Sequence, residues 1–205
     1  MSKSATISSA SDQDLVQKAK HGDRQAFTEI VRRNEQMVYS FAFKVCRNRE
    51  YAEETYQDTF VNVFQKLKQF DGKSKFSTWL YSIVSNCCLM KRRKRKLEKE
   101  SVPISELIDE NSGGHGESVH RRLSSPRLAT TPIDDAMSSE LRHLLDTSIQ
   151  KMPVEYRLVF ILRDIEDKSA AETAKILNLS IPAVKSRLRR ARIFLRDQLQ
   201  DYMSS

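Results

Sequence analysis

Cationic side chains near the carboxyl end of the chain have the types and the spacing needed to bind a polyanion. Val184, Leu188, Ala191 and Leu195 recur at helical spacing and therefore predict a buried stripe. The polar and cationic residues on the other faces of the same helix are Lys185, Ser186, Arg189, Arg190 and Arg192. A helix with one dry side and one cationic side suits the major groove of DNA. The alternative is an ordinary amphipathic helix whose basic face is solvated.

The segment before this helix carries the signals of a helix-turn-helix. Ser169 and Glu172 fit a capping box that begins a first helix. Asn178 can adopt the left-handed conformation that ends it. Ser180 can cap the second helix, and Pro182 is tolerated in its first turn. The pattern predicts a helix, a tight turn and the cationic helix.

A second candidate surface is acidic and lies on the third predicted helix of the amino-terminal half. Its members are Glu50, Glu53, Glu54, Gln57 and Asp58. Such a face ordinarily meets water. It can also bind a basic helical partner, because complementary charge steers docking.

Lysines and aromatic residues occur together in the segment 70–81. Lys73 and Lys75 lie in a predicted loop, and Phe76 and Trp79 follow it. Cations for phosphate combined with rings or pockets for bases suit single-stranded nucleic acid. The alternative is that Phe76 and Trp79 are core anchors.

Six consecutive cations, from Lys91 to Lys96, end the helix that follows this segment. Such a run attracts phosphate strongly and with a steep dependence on salt. A nuclear localisation signal and a solvated tail are its other interpretations.

The composition agrees with a polyanionic partner without identifying it. The net charge is +8 and the isoelectric point is near 9.4, which favours nucleic acid or an acidic membrane surface. No apolar run approaches the length of a membrane span. The first four residues are not followed by the apolar core that a signal peptide would have. We therefore expect a cytoplasmic protein without membrane insertion.

The cysteines and histidines do not form a recognisable metal or disulfide pattern. Cys46, Cys87 and Cys88 are odd in number and contain no Cys-x-x-Cys spacing, so no disulfide scaffold or structural zinc site is expected. The adjacent pair of Cys87 and Cys88 is either redox-reactive or simply packed. The four histidines are scattered, and they are His21, His115, His120 and His143.

The elements that must position these residues are helices. Only five glycines and five prolines occur, and no alternating run indicates a strand. In the amino-terminal half we expect a helix at 12–20 capped by Ser11, followed by a longer helix that Asp23 caps and Asn48 breaks. A third helix is expected at 50–70, with Phe60 and Phe64 turned wholly or partly inward. A fourth is expected at 78–96, capped by Ser77. Four more helices are expected after residue 137.

The organisation follows from these blocks. We expect a disordered tail at 1–10, a helical domain at 11–98, a flexible linker at 99–135 and a second helical domain at 136–205. The predicted fold class is all-α, with two small helical domains joined by a long flexible linker, and the second domain contains the helix-turn-helix.

Four motifs, in this order and at this spacing, resemble bacterial RNA polymerase sigma factors of the extracytoplasmic function group. The segments are 52–60 (Ala-Glu-Glu-Thr-Tyr-Gln-Asp-Thr-Phe), 76–86 (Phe-Ser-Thr-Trp-Leu-Tyr-Ser-Ile-Val-Ser-Asn), 152–163 (Met-Pro-Val-Glu-Tyr-Arg-Leu-Val-Phe-Ile-Leu-Arg) and 184–191 (Val-Lys-Ser-Arg-Leu-Arg-Arg-Ala). The resemblance covers about residues 12–96, similar to sigma region 2, and 137–200, similar to sigma region 4.

The resemblance implies a role for each surface. The contacts to the clamp helices of the polymerase beta-prime subunit would be Glu53, Glu54, Gln57, Asp58 and Phe60. The residues that capture the melted minus-ten element would be Lys73, Lys75, Phe76, Trp79 and Asn86. The residues that read the minus-thirty-five duplex would be Arg163, Lys185, Ser186, Arg189 and Arg190.

The implied function is that of a promoter-specificity subunit, which binds but does not catalyse and uses no cofactor or metal. Its partners would be core RNA polymerase, through the clamp helices and the beta flap, and promoter DNA; an anti-sigma factor is a further candidate. The alternative is a stand-alone helix-turn-helix regulator, which would need neither the acidic helix nor the single-strand loop. An enzyme acting on nucleic acid would need clustered carboxylates or metal ligands.

Overall fold

The computed structural model describes residues 11–101 and 139–203, and the described residues are helical without a strand. The first block, residues 11–101, contains α1 (Asp12–Lys20), α2 (Arg24–Cys46), α3 (Arg49–Lys66) with a 3-10 turn (Leu67–Gln69), and α4 (Phe76–Ser101). The second block, residues 139–203, contains α5 (Ser139–Lys151), α6 (Val154–Phe160) continued by a π-helical turn (Ile161–Ile165), α7 (Ala170–Leu177) and α8 (Ile181–Met203). The all-α prediction is confirmed.

Side-chain caps explain where most of the first helices begin. The Ser11 hydroxyl accepts from the backbone N–H of Asp14 at 3.2 Å, and the Asp23 carboxylate accepts from those of Gln25 and Ala26. Asn48 was expected to break α2, but its side chain accepts from the N–H of Tyr51 at 3.0 Å and begins α3. The break comes one residue earlier, because Arg47 is left-handed with φ 55°.

Two predicted boundaries of the fourth helix are wrong. The helix α4 begins at Phe76, so Ser77 lies inside its first turn and does not cap it. The helix continues to Ser101, so residues 99–101 of the predicted linker are helical. The rest of the linker, up to residue 135, and the predicted tail at 1–10 lie outside the described residues.

The core of the first block is built from all four of its helices. Fully buried side chains come from α1 (Leu15), α2 (Ile30 and Phe41), α3 (Val63) and α4 (Leu80). Burying each large apolar side chain stabilises a fold by roughly 1.5–3 kcal/mol. The Phe41 ring also meets the edge of the Tyr81 ring at 5.1 Å between centroids. This core fixes the relative positions of α3 and α4, which carry two of the three candidate surfaces.

The two blocks pack against each other across an apolar contact. Buried residues of the second block that join the core cluster of the first are Val154, Leu158, Ile161, Leu162 and Ile176. Glu166 accepts from Lys44 Nζ and from the Tyr81 hydroxyl, both at 2.7 Å. Arg47 pairs with Asp146 at 2.5 Å, and the Lys168 ammonium lies 4.9 Å from the centroid of the Tyr81 ring. Burial, and then the hydrogen bond to Glu166, raise the pKa of Tyr81.

A buried arginine also stabilises the contact between the two blocks, near the carboxyl end of α2. Arg157 is 4% exposed and donates to the carbonyl oxygen of Val45 at 2.6 Å and to those of Gln150 and Met152. These carbonyls lie in or next to the last turns of α2 and α5, where helices leave carbonyl groups without partners. Burial, followed by the positive charges of Arg92 and Arg47, lowers the pKa of Arg157 to about 10. One guanidinium therefore satisfies the ends of helices from both blocks.

Candidate nucleic-acid and protein interfaces

The acidic face of α3 is partly neutralised by cations of the first block. Glu53 pairs with Arg49 at 2.9 Å. Lys91 of α4 lies 2.5 Å from Glu54 and 3.2 Å from Asp58. Burial opposes the charge on Lys91, but these two carboxylates raise its pKa. Of the residues expected to contact polymerase, Gln57 and Asp58 are exposed, as is Glu50 at the start of the same helix.

The apolar part of the same face differs from the prediction. Phe60 is 8% exposed and its ring packs 5.1 Å from that of Tyr56, so it supports α3 from the inside. Val61 and Phe64 are 55% and 66% exposed, although Phe64 was expected to turn at least partly inward. They follow Gln57 by four and seven residues and thus share its side of the helix. An acidic face bordered by exposed apolar side chains is the result.

The lysine loop between the 3-10 turn and α4 is exposed. The Asp71 carboxylate accepts from the backbone N–H of Lys73 at 3.1 Å and lies 3.2 Å from its ammonium. These contacts with Lys73 lower the pKa of Asp71. Gly72 has φ 76°, a conformation that L side chains rarely adopt, so the turn requires glycine. Lys73 and Lys75 both point to solvent.

The aromatic residues around this loop form a cluster of their own. The centroid distances are 5.7 Å for Phe70 and Phe76, 5.2 Å for Phe70 and Trp79, and 5.6 Å for Phe76 and Trp79. Phe76 is 6% exposed, so it is a core anchor in this arrangement. Trp79 remains partly exposed, and Asn86 lies seven residues later on the same side of α4 and is exposed. The lysines, Trp79 and Asn86 are thus the solvent-facing members of the predicted set.

The helix-turn-helix has the predicted local geometry. The Ser169 hydroxyl accepts from the N–H of Glu172 at 3.1 Å, and the Glu172 carboxylate accepts from the N–H of Ser169 at 2.9 Å. The backbone hydrogen bond lowers the pKa of Glu172. Asn178 ends α7 at φ 50° and ψ 53°, and Ser180 accepts from the N–H of Ala183 at 3.3 Å. The capping box, the left-handed turn and the second cap are all confirmed.

The buried stripe of α8 is also confirmed, since Val184, Leu188, Ala191 and Leu195 are at most 9% exposed. The exposed side chains of α8 include four that were predicted to face DNA, namely Lys185, Ser186, Arg189 and Arg190. Lys185 and Arg189 line a shallow groove together with Arg192, Ile193 and Arg196.

Three arginines near this face have partners within the second block. Arg190 donates to the Tyr156 hydroxyl at 3.1 Å. Arg192 makes two hydrogen bonds to the Asp164 carboxylate, at 2.7 Å and 3.0 Å, which raise its pKa. Arg163 is half-buried and donates to the carbonyl oxygen of Lys168. Lys185 and Arg189 are therefore the better-placed cations for direct contact with a ligand.

No group of three or more histidine, cysteine, aspartate or glutamate side chains in the described residues could hold a metal ion. In the same part of the chain, no helix is both long enough and apolar enough to cross a membrane. His115 and His120 lie outside the described residues.

A helix-turn-helix with an exposed cationic face is typical of a DNA-binding protein. Family models match two segments, "Sigma-70 region 2" at residues 30–98 and "Sigma-70, region 4" at residues 142–195. The chain is 32% identical to the ECF RNA polymerase sigma factor SigW of Bacillus subtilis, over 91% of this chain and 95% of the relative. It is 26% identical to the ECF RNA polymerase sigma-E factor of Haemophilus influenzae, over 94% and 97%.

Two solved structures have the same fold. One is CnrH in complex with the cytosolic domain of CnrY, at 24% identity and TM-score 0.61, covering 93% of this chain and 97% of that one. The other is the sigma factor RpoE in complex with the anti-sigma factor NepR from Bartonella quintana, at 21% identity and TM-score 0.59, covering 85% and 96%. The protein belongs to the extracytoplasmic function family of RNA polymerase sigma factors, and it is a promoter-specificity subunit of RNA polymerase.

Proposed function

We propose that the chain divides the work of promoter recognition among three surfaces of this fold. The acidic face of α3 binds core RNA polymerase, the loop 71–75 with α4 captures the melted minus-ten element, and α8 reads the minus-thirty-five duplex. The observation that carries the proposal is that the acidic residues of α3 and the exposed cations of α8 lie on different helices, in different blocks. Opposite charges on separate surfaces suit one protein partner and one nucleic-acid partner.

The polymerase contact combines charge with apolar area. Glu53, Glu54, Gln57 and Asp58 supply the polar part, and Phe60 holds the helix from inside. The exposed side chains of Val61 and Phe64 add apolar area beside them, which a protein partner can bury. The clamp helices of the beta-prime subunit are the proposed site, and the beta flap is the proposed partner of the second block.

The minus-ten contact uses cations for phosphates and one face of α4 for bases. Lys73 and Lys75 are exposed, and Trp79 and Asn86 share a side of the helix. Phe76 positions Trp79, because the two rings pack at 5.6 Å. Stacking or pocket capture is worth about 1–3 kcal/mol per base, which is enough to select an opened strand.

The minus-thirty-five contact uses the free cations of α8. Lys185, Ser186 and Arg189 are exposed on one side. Arg190 and Arg163 have intramolecular partners, so they contribute by rearranging or by shaping the surface. Bidentate contacts to base edges discriminate by about 1–3 kcal/mol, whereas phosphate contacts add affinity without discrimination.

The protein acts by binding, without catalysis, and it acts in the cytoplasm where polymerase and promoter DNA meet. An anti-sigma factor is proposed as a further partner. The support is that the similar RpoE structure was solved in complex with the anti-sigma factor NepR.

Charge reversal on α3 tests the division of labour. We expect the double variant Gln57→Lys/Asp58→Lys to lose holoenzyme assembly, because like charges at an interface cost several kcal/mol. The control is Gln13→Lys/Asp14→Lys, which makes the same charge change on exposed residues of α1. Assembly is measured by native gel with core polymerase, and helicity by circular dichroism. Normal assembly of the α3 variant would show that polymerase binds elsewhere and would overturn the assignment.

A further inference from the structure

A thiol pair that is not adjacent in the sequence lies where α2 and α4 meet. Cys46 is the last residue of α2, and its Sγ lies 3.9 Å from the Sγ of Cys88 on α4. Cys87 points elsewhere, since its Sγ accepts from the side-chain amide of Asn62 on α3 at 3.7 Å. Successive residues of a helix do not face each other, which is why the neighbours Cys87 and Cys88 diverge. The pair that can react is Cys46 with Cys88.

The two thiols differ in exposure and in their surroundings. Cys46 is half-buried, whereas Cys88 is 3% exposed. The Cys46 sulfur also lies 3.6 Å from the Thr55 hydroxyl. Of the two, Cys46 is therefore the one that a small oxidant in solvent can reach first.

Cationic groups from two other helices face Cys46. Arg157 of α6 donates to the carbonyl oxygen of Val45, the neighbour of Cys46. Its Nε has no hydrogen-bond partner among the described residues. Lys91 of α4 is a second positive charge that favours the Cys46 thiolate. The carboxyl end of a helix opposes an anion, and Arg157 offsets that effect at this end.

These surroundings shift the pKa values of the two thiols in opposite directions. Hydrogen bonding with Cys88, then with Thr55, and the charge of Arg157 lower the pKa of Cys46 to about 7 in spite of burial. The same hydrogen bond, together with burial, raises the pKa of Cys88. A thiolate whose pKa is near the ambient pH is the most effective nucleophile. The pair thus contains one nucleophile and one protonated thiol in contact with it.

We propose that Cys46 and Cys88 form a redox-sensitive site that a peroxide converts to an intramolecular disulfide. The Cys46 thiolate attacks one peroxide oxygen, the O–O bond breaks and hydroxide leaves, which gives a sulfenic acid at Cys46. The Cys88 thiol then loses its proton and attacks that sulfur. The S–S bond forms, the S–O bond breaks and water leaves. Two electrons pass from the thiols to the peroxide.

The geometry requires only a local movement. The sulfurs must approach from 3.9 Å to about 2.05 Å, the length of a disulfide bond. In a reducing compartment, disulfides of this kind are usually transient and act as sensors. The bond would join the end of α2, which meets the second block through Arg157, to the middle of α4, which carries the minus-ten surface.

The test uses the full-length, reduced protein with hydrogen peroxide. We expect an intact-mass loss of two hydrogens per chain, and peptide mapping should join Cys46 to Cys88 within one molecule. The variant Cys87→Ser should form the same bond. A disulfide through Cys87, a bond between chains, or unchanged thiols would overturn the proposal.

A pair of variants tests the role of Cys88 separately from disulfide formation. In Cys88→Ser, the hydroxyl can still donate to Cys46, so dimedone should trap a sulfenic acid at Cys46. In Cys88→Ala the partner that lowers the pKa of Cys46 most is lost and Thr55 remains, so the pKa of Cys46 rises towards that of a free thiol. We expect trapping at pH 7 to slow by about tenfold, because the thiolate fraction falls. Equal trapping rates in the two variants would overturn the assigned role of Cys88. Circular dichroism of both variants shows whether the fold is intact.

Discussion

The two blocks of the molecule differ in how they complete their cores. The first block buries a side chain of each helix in its own centre, including Leu15, Ile30, Phe41 and Leu80. The second block keeps only small clusters to itself, one around Val159 and Val184 and another around Met152 and Ala191. Several of its other buried residues belong to the cluster of the first block. In this arrangement the second block therefore completes its core against the first.

The second block has an inner side, which contacts the first block, and an outer side, which faces solvent. Its inner side is held by Arg157 and Glu166, each of which bonds to the first block. Its outer side is the cationic face of α8, which is exposed. The contact between blocks and the cationic face of α8 are thus on different sides of the same small unit. Changes on one side should leave the other side unaffected.

Removing the buried guanidinium should give the largest effect. We expect Arg157→Met to lower the free energy of unfolding by about 3 kcal/mol or more, since two buried carbonyl groups and a partly buried one lose a charged donor, at about 1–3 kcal/mol for each buried group. The matched control is Arg32→Met, whose guanidinium is exposed and pairs only at the surface of α2. Urea unfolding followed by circular dichroism measures both. A change within 0.5 kcal/mol for both variants, a margin typical of surface substitutions, would contradict the role given to Arg157.

Neutralising Glu166 should have a smaller and more local effect. Glu166→Gln keeps the shape but loses the charge that faces Lys44 and Tyr81, and we expect a loss of about 1–2 kcal/mol at the contact between blocks. Hydrogen exchange should speed up in α6 and α7, while α1 stays protected. A double-mutant cycle with Lys44→Met measures the interaction of the pair, because the effects of substitutions on the free energy of unfolding are not additive for residues in contact. Additive effects would show that the ion pair does not hold the blocks together.

Local signals in the sequence predicted the parts of this fold that depend on one or two residues. Ser169 with Glu172, and Asn178, have backbone preferences that decide a helix start and a helix end without help from distant residues. Periodicity alone also identified the buried stripe of α8. The confirmed helix-turn-helix is therefore a consequence of short-range chemistry.

What could not be predicted depends on packing between distant segments. Phe60 and Phe64 are both phenylalanines on one helix, and only the neighbours of α3 decide that one is buried and the other 66% exposed. The bond between Arg157 and Val45 joins residues 112 positions apart, and no local pattern announces it. The pairing of Cys46 with Cys88 is hidden for the same reason, since adjacency in the sequence favoured Cys87 instead.

The outer side of the second block offers the smallest and most specific test. Arg192 is bound to Asp164 by two hydrogen bonds, whereas Arg189 has no such acidic partner among the contacts of the described residues. We therefore expect Arg189→Ala to weaken binding of a minus-thirty-five duplex and to shift preference at one or two base pairs. We expect Arg192→Ala to change the binding affinity little.

Asp164→Asn frees the Arg192 guanidinium, so it should strengthen binding severalfold and steepen the salt dependence by about one phosphate contact. Fluorescence anisotropy on duplexes with and without the recognised element, between about 50 and 200 mM salt, separates these outcomes. If Arg192→Ala weakened binding as much as Arg189→Ala, the ion pair with Asp164 would open on DNA, and the outer face would include Arg192 as a direct contact.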